Sequence, residues 1–348
     1  MSMIGSRLKM ARQARGLSMQ QLAHLAGVSA NMIKKYEHNI SMPSSDVMSR
    51  LLDALKVSLD FLFRPFEVQV PAVVFRDSRI PKKLLKQLEV EVTASVEHFL
   101  ALKELWMHCP LPAFSIASPL PPVRTPDDIE TVAAHLRKAW ELGSDAIGNL
   151  ATLLASRGVI VVVSHTEQNV ETFDGLLADC NGLPVIVVNA ACTGLDRRFI
   201  LARELGTLLF KTQPLPPNIN AGQAALRFAA ALLTPEAELL ALLGSRRAKI
   251  FEKEWECLER RFGLPAIALL NRARELKVIS ANAYKTEKAK LFTRARCAST
   301  SASLYFPEEP CLFEQLVFRA NAEKILGDSR AAELLGISVA EFARARHA

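Results

Sequence analysis

No stretch of about 18 consecutive apolar residues occurs in this chain, so no membrane-spanning helix is expected. The N-terminus has no apolar core of the kind that marks a secretory leader. Cysteine is sparse and scattered. Cys109, Cys180, Cys192, Cys257, Cys297 and Cys311 include no C-x-x-C pair, which argues against a disulfide framework or a zinc ribbon and for reduced, mostly buried thiols. The seven histidines show no H-x-x-x-H spacing. These absences predict a cytoplasmic protein with no membrane partner, no resident cofactor and no metal.

Half of the 348 residues are apolar, enough for a sizeable core, and the length predicts two or three domains. The charge is unevenly spread. Residues 1–65 hold nine Lys/Arg against four Asp/Glu, a net +5 of the chain's +7. A basic small domain ahead of a nearly neutral large one marks where a polyanion would bind.

Residues 4–63 read as five short helices. The first, from Ile4 to about Arg15, carries Ile4, Leu8 and Ala11 on one face and stops at Gly16. Ser18 caps a second helix, Met19 to Ala26, which ends at Gly27. Ser29 caps a third, running to Glu37. Pro43-Ser44-Ser45-Asp46 opens a fourth and Leu59–Phe63 is a fifth. The signature Leu22-Ala23-x-x-Ala26-Gly27-Val28-Ser29, followed by Ile33 and Tyr36-Glu37, resembles the helix-turn-helix of the phage-repressor (XRE) family. The resemblance implies that the third helix enters the major groove of double-stranded DNA. Carried over by position, Ala30, Asn31 and Lys35 face bases, with Ser29 and Lys34 near the backbone. Asn reads adenine and Lys reads guanine. Arg12 and Glu37 fall where the family has an ion pair joining first and third helices. Met19 departs from the usual glutamine, which Gln20 partly replaces. Arg7 and Arg50 are expected to touch phosphate if they touch DNA at all.

Residues 66–125 read as a connector: an apolar strand-like run from Val68 to Phe75, then one long helix over 82–108 with Leu84, Leu88, Val92, Val96 and Phe99 on one face. Pro110, Pro112, Pro119, Pro121, Pro122 and Pro126 then make 109–126 an extended linker. Thr125-Pro126-Asp127-Asp128 starts a helix to about Trp140, and a second runs from Asp145 to Arg157. Two strand signals follow, Val159–Val163 and Leu183–Val188, with turns at Phe173-Asp174-Gly175 and Asn181-Gly182. A helix from Asp196 to Phe210 comes next. Thr234-Pro235-Glu236 caps another, and two more fill 247–277 around a break at Gly263-Leu264-Pro265. Residues 297–310 read as a polar linker and Leu312–Ile325 as helical. The tail from Arg330 to Ser338 echoes Gln21 to Ser29, as either a second DNA-contacting hairpin or a helical hairpin closing the C-terminal domain.

The strand Leu183–Asn189, the helix Arg197-Arg198-Phe199-x-Leu201-Ala202-x-Glu204-Leu205-Gly206 and the run Phe228-Ala229-Ala230-x-Leu232-Leu233-x-Pro235 resemble the ImmA/IrrE family of metallo-endopeptidases. That family holds zinc on an H-E-x-x-H helix, with the glutamate as general base. Here Arg203 and Thr207 stand at the two histidine positions, and Ala224 stands where the third ligand, an acid, is implied. Glu204 alone survives. A guanidinium has no lone pair for a metal. Arg203 would instead place a cation where zinc sat, open to an anionic ligand or paired with a nearby acid such as Glu204.

The fold expected is multi-domain. An all-α five-helix repressor-type domain (1–65) and a connector (66–125) precede a mainly helical α+β zincin-like domain with a small sheet (126–296) and a helical C-terminal segment (297–348). The function expected is a DNA-binding transcriptional regulator, acting as a homodimer, and not an enzyme. Its pseudo-peptidase domain would sense a small molecule, bind a protein effector or dimerise. The alternatives are an active metallopeptidase that cleaves a partner repressor and an antitoxin-like module that masks a co-encoded protein.

Overall fold

The computed structural model describes residues 4–55, 57, 59–63, 74–75, 80–116, 119–297 and 305–347. The chain forms two compact units. One gathers residues 1–110, 179–182 and 314–348, the other 111–178 and 183–313.

The first unit opens with five helices: α1 (Ile4–Ala14), α2 (Met19–Ala26), α3 (Ala30–Glu37), α4 (Ser45–Leu55) and α5 (Leu59–Phe63). Their apolar stripes meet in one core that contains Leu8, Leu22, Ile33, Leu51 and Leu62. The caps read from sequence are in place: Ser18 accepts from the Gln21 amide and Ser29 from the Met32 amide. Gly27 ends α2 at φ 65°, in the left-handed region that a side chain would strain. Of the strand-like run Val68–Phe75, only β1 (Val74–Phe75) falls within the described residues. The long helix α6 (Lys82–Leu105) buries Leu84, Leu88, Val92, Val96 and Phe99 as its spacing predicts.

The second unit contains α7 (Asp128–Ala139), α8 (Leu150–Ser156), the strands β2 (Ile160–Ser164) and β4 (Leu183–Asn189), and all but the last two residues of β3 (Gly175–Cys180). It continues through α9 (Gly194–Thr212), α10 (Ala221–Leu233), α11 (Glu236–Leu243), α12 (Glu252–Phe262), α13 (Ala266–Glu275) and α14 (Ala281–Cys297). β4 lies between β3 and β2. It runs parallel to β2, in register from Ile160 opposite Val185 to Ser164 opposite Asn189. Val185–Val188 are fully buried, as a central strand covered on both faces requires. The expected motif helix is α9, and α10 packs directly on it. A Cβ on Gly206 would lie 2.8 Å from the Phe228 ring, so the glycine permits this close approach.

Three readings of the sequence need correction. β3 lies where the sequence signals only the flanking turns, because Gly-Leu-Leu-Ala-Asp-Cys lacks β-branched residues. The helix expected from Asp145 begins at Leu150. Arg137 takes the carbonyls of Gly143 and Asp145, and Arg198 takes those of Ile147 and Gly148, so these acceptors are diverted from a helical ladder. Asn149 then caps α8. Finally, α14 has no counterpart among the elements expected from the sequence.

The linker residues 298–304 lie outside the described set. The C-terminal helices α15 (Leu312–Ala322), α16 (Asp328–Leu334) and α17 (Val339–Ala345) follow. The echo of the N-terminal domain extends beyond one turn. Gly336 sits at φ 68° and Ser338 caps α17 as Gly27 and Ser29 do at α3. Val317, Ala320 and Phe342 are fully buried at the same distances from that glycine as Leu8, Ala11 and Ile33 from theirs. Residues 314–348 belong to the first unit, so the hairpin does not close the zincin-like domain as expected.

Candidate functional site

Two surfaces carry chemistry, and the first is the outer face of α3. Ile33 and Tyr36 bury its inner side. At its C-terminal end the Arg12 guanidinium donates two hydrogen bonds to the Glu37 carboxylate, at 2.5 and 3.0 Å, and a third to the Leu17 carbonyl. Both partners are buried, so the pair locks α3 onto α1 with little freedom to rotate. Ser29, Asn31, Lys34 and Lys35 are exposed along the outer side, with Ala30 half-buried. Gln20 is exposed on α2 and Met19 is half-buried beside it. Arg50 donates from Nε to the Ala26 carbonyl at 2.8 Å, steadying the end of α2. Arg7 is only 1% exposed. It makes a two-pronged pair with Glu97 of α6 at 2.5 and 2.8 Å, so it is a packing group within the unit and cannot touch phosphate.

The second surface is the middle of α9. Thr193 caps this helix, and Arg197 and Arg198 anchor its first turn. Arg198 is fully buried. It donates to the carbonyls of Ile147, Gly148 and Phe262 and to the Glu308 carboxylate. Arg197 pairs with Glu309 at 2.5 Å and donates to the Ala190 carbonyl. One turn on, Arg203 donates to both Asp174 oxygens at 2.7 and 3.0 Å and from Nε to Glu204 at 2.8 Å. Thr207 turns its hydroxyl back to the Arg203 carbonyl at 3.1 Å. Ala224 is buried on α10.

The loop that delivers Asp174 is held by Asn189. Its Nδ2 donates to the Phe173 carbonyl at 2.7 Å, and its Oδ1 accepts from the Ala191 amide. Burial alone would raise the Asp174 pKa, but the Arg203 hydrogen bonds and charge outweigh it and hold the carboxyl below its ordinary value. Burial pushes the nearby Cys192 thiol up to about 11, so it stands protonated at neutral pH. Asp174 and Glu308 were missed as functional partners. The first was read as a turn residue, and the second lay in a segment read as linker.

A zinc ion does not fit these residues. The positions 203, 204, 207 and 224 supply one carboxylate, Glu204, itself bonded to a guanidinium, where three or four donors are needed. Among the described residues, no group of three or more His, Cys, Asp and Glu is placed to hold a metal. Arg203, Asp174 and Glu204 together carry one net negative charge, so the guanidinium is matched by acids already in place.

Comparison with known proteins finds a family for each of the two regions. Residues 8–62 match a helix-turn-helix family and residues 157–274 the IrrE N-terminal-like domain family. An HTH-type transcriptional regulator of Mycobacterium tuberculosis, found in strains CDC 1551 and H37Rv, is 34% identical over 101 residues. The match covers 27% of this chain and 71% of that protein. The SPbeta prophage-derived HTH-type regulator YonR of Bacillus subtilis is 34% identical over 67 residues, 19% of this chain and 62% of the relative. No solved structure matches significantly. Among the described residues, no helix is long and apolar enough to cross a membrane.

Proposed function

Because the chain belongs to the helix-turn-helix transcriptional regulators, with an XRE-type domain at its N-terminus and an IrrE-like domain behind it, we propose that it reads duplex DNA through α3. The observation that carries this is the outer face of α3, where Asn31, Lys34 and Lys35 stand exposed on a helix locked by the Arg12–Glu37 pair. Ala30, Asn31 and Lys35 take base edges. Ser29, Lys34 and Gln20 take the backbone. A homodimer would place two such helices on half-sites one helical turn apart, about 34 Å. The test is a selection from random duplexes with the full-length protein, repeated with Asn31→Ala and Lys35→Ala. Each substitution is expected to relax one base-pair position at a cost of roughly 1–3 kcal/mol. An enriched motif that neither changes would sink the assignment.

The IrrE-like unit is, on this reading, a pseudo-peptidase that serves regulation by sensing, partner binding or dimerisation. The support is the Asp174–Arg203–Glu204 cluster lying across the positions where metal ligands would stand. Its net negative charge disfavours an anionic metabolite at Arg203. Elemental analysis of the purified protein is expected to find no stoichiometric zinc. About one zinc per chain would overturn the reading.

A further inference from the structure

The helix α14 holds five Lys/Arg against one acid, Glu287, a net +4. The 283 residues after residue 65 carry only +2 in total, so the remainder of that stretch is net negative and the cations are gathered here. Lys285, Lys288 and Phe292 follow one another at i, i+3 and i+7, which places them along one side of the helix. The Lys288 ammonium lies 5.6 Å from the Tyr284 ring centre and 5.8 Å from that of Phe292. Tyr284 is itself tethered by its hydroxyl to Asn271. Beside α14, in the same unit, Lys249 stands 4.5 Å over the Phe251 ring. Phe251, Lys249, Lys290 and Leu291 line a cavity of about 330 Å³ together with Glu252 and Glu287; Glu287, Lys290 and Leu291 lie on the other side of α14 from Lys285, Lys288 and Phe292, so the exposed stripe is a face of its own. Phe251 and Phe292 are 57% and 56% exposed. Glu287, by contrast, is buried and paired with Lys290 at 2.7 Å.

Rings that hold ammonium groups in place reduce the rotamer freedom a lysine loses when it binds an anion. A cationic face presented this way suits a polyanion of regular charge spacing. We infer that the α14 face is a second, sequence-independent contact for duplex DNA phosphates. This rests on the reading that α3 binds duplex DNA. A contact too weak to act alone adds affinity when it is tethered to one that binds.

The experiment titrates full-length protein with two duplexes, the α3-selected core alone and the same core with long random flanks, over a range of salt. Wild-type protein is expected to show a steeper dependence of log affinity on log salt for the flanked duplex. Lys285→Gln with Lys288→Gln is expected to make that slope shallower by about two while leaving the selected motif unchanged. An unchanged slope for the paired variant on flanked duplex overturns the inference. If that variant instead loses only binding to polyglutamate, the face belongs to an acidic protein segment and the inference also fails. The two readings separate cleanly. Asn31→Ala without effect on selectivity counts against α3, whereas a wild-type salt slope in the α14 variant counts against α14 alone.

Discussion

At the scale of single residues, Arg203 is the substitution from which the rest of the second surface follows. A histidine there would offer a metal a lone pair, whereas a guanidinium offers five donors and needs acceptors. Asp174 and Glu204 supply them. The pairing makes a testable claim about pH. The folded-state pKa of Asp174 is depressed, so the group contributes stability that is fully present above its unfolded value of about 4 and is lost as pH falls through the lower folded value. Urea midpoints of wild type and Asp174→Asn are therefore expected to differ at neutral pH and to converge as the pH is taken well below 4. A difference that stays constant through that window would show that the carboxylate charge is not what the pairing uses.

At the scale of elements, the N-terminal helices are tied to the next helix in the chain. Arg7 of α1 and Glu97 of α6 are almost fully buried together, and the Arg7 guanidinium also lies over the Phe61 ring at 5.5 Å. Removing one partner leaves a buried charge unmatched, which costs roughly 3–5 kcal/mol, whereas replacing both by apolar residues of similar volume is often near neutral. Arg7→Met is accordingly expected to lower the denaturant midpoint of the full chain sharply, and Arg7→Met with Glu97→Leu to restore most of it. Additive losses would mean that the two side chains stabilise the unit independently. The same pair explains why a boundary at residue 65 is a poor cut. A fragment ending there exposes the α1 surface that α6 covers and leaves Arg7 without its carboxylate.

At the scale of the whole molecule, the first unit is built from both ends of the chain. The α15–α17 segment repeats the helix, glycine turn and serine cap of α1–α3, and Arg319 stacks over Trp106 at 5.3 Å within that unit. Trp106 is only 8% exposed. Deleting residues 314–348 is thus expected to uncover apolar surface beside the end of α6. Hydrogen exchange should speed up in α6 and leave protection in α9 and α10 as it was. Faster exchange in α9 and α10 with α6 unaffected would place the C-terminal helices with the IrrE-like unit instead.

The sequence by itself determined whatever depends on neighbours a few residues away. The five N-terminal helices, the turn at Gly27, the caps at Ser18 and Ser29 and the apolar side of α6 are legible because helix periodicity and capping are local. The helix from Arg197 to Phe210 is legible for the same reason: the spacing of its apolar residues is a property of one helix. Tertiary structure decided the rest. Asp174 reaches Arg203 only because β3 and β4 bring its loop to α9. Glu308 finds Arg198 across 110 residues of chain. Arg7 is a core group because Glu97 lies opposite it, and the helix expected from Asp145 is shortened because Arg137 and the distant Arg198 claim carbonyls there. A buried charge must find a partner wherever the fold supplies one, and neither the partner's identity nor its distance along the chain is written in the local pattern.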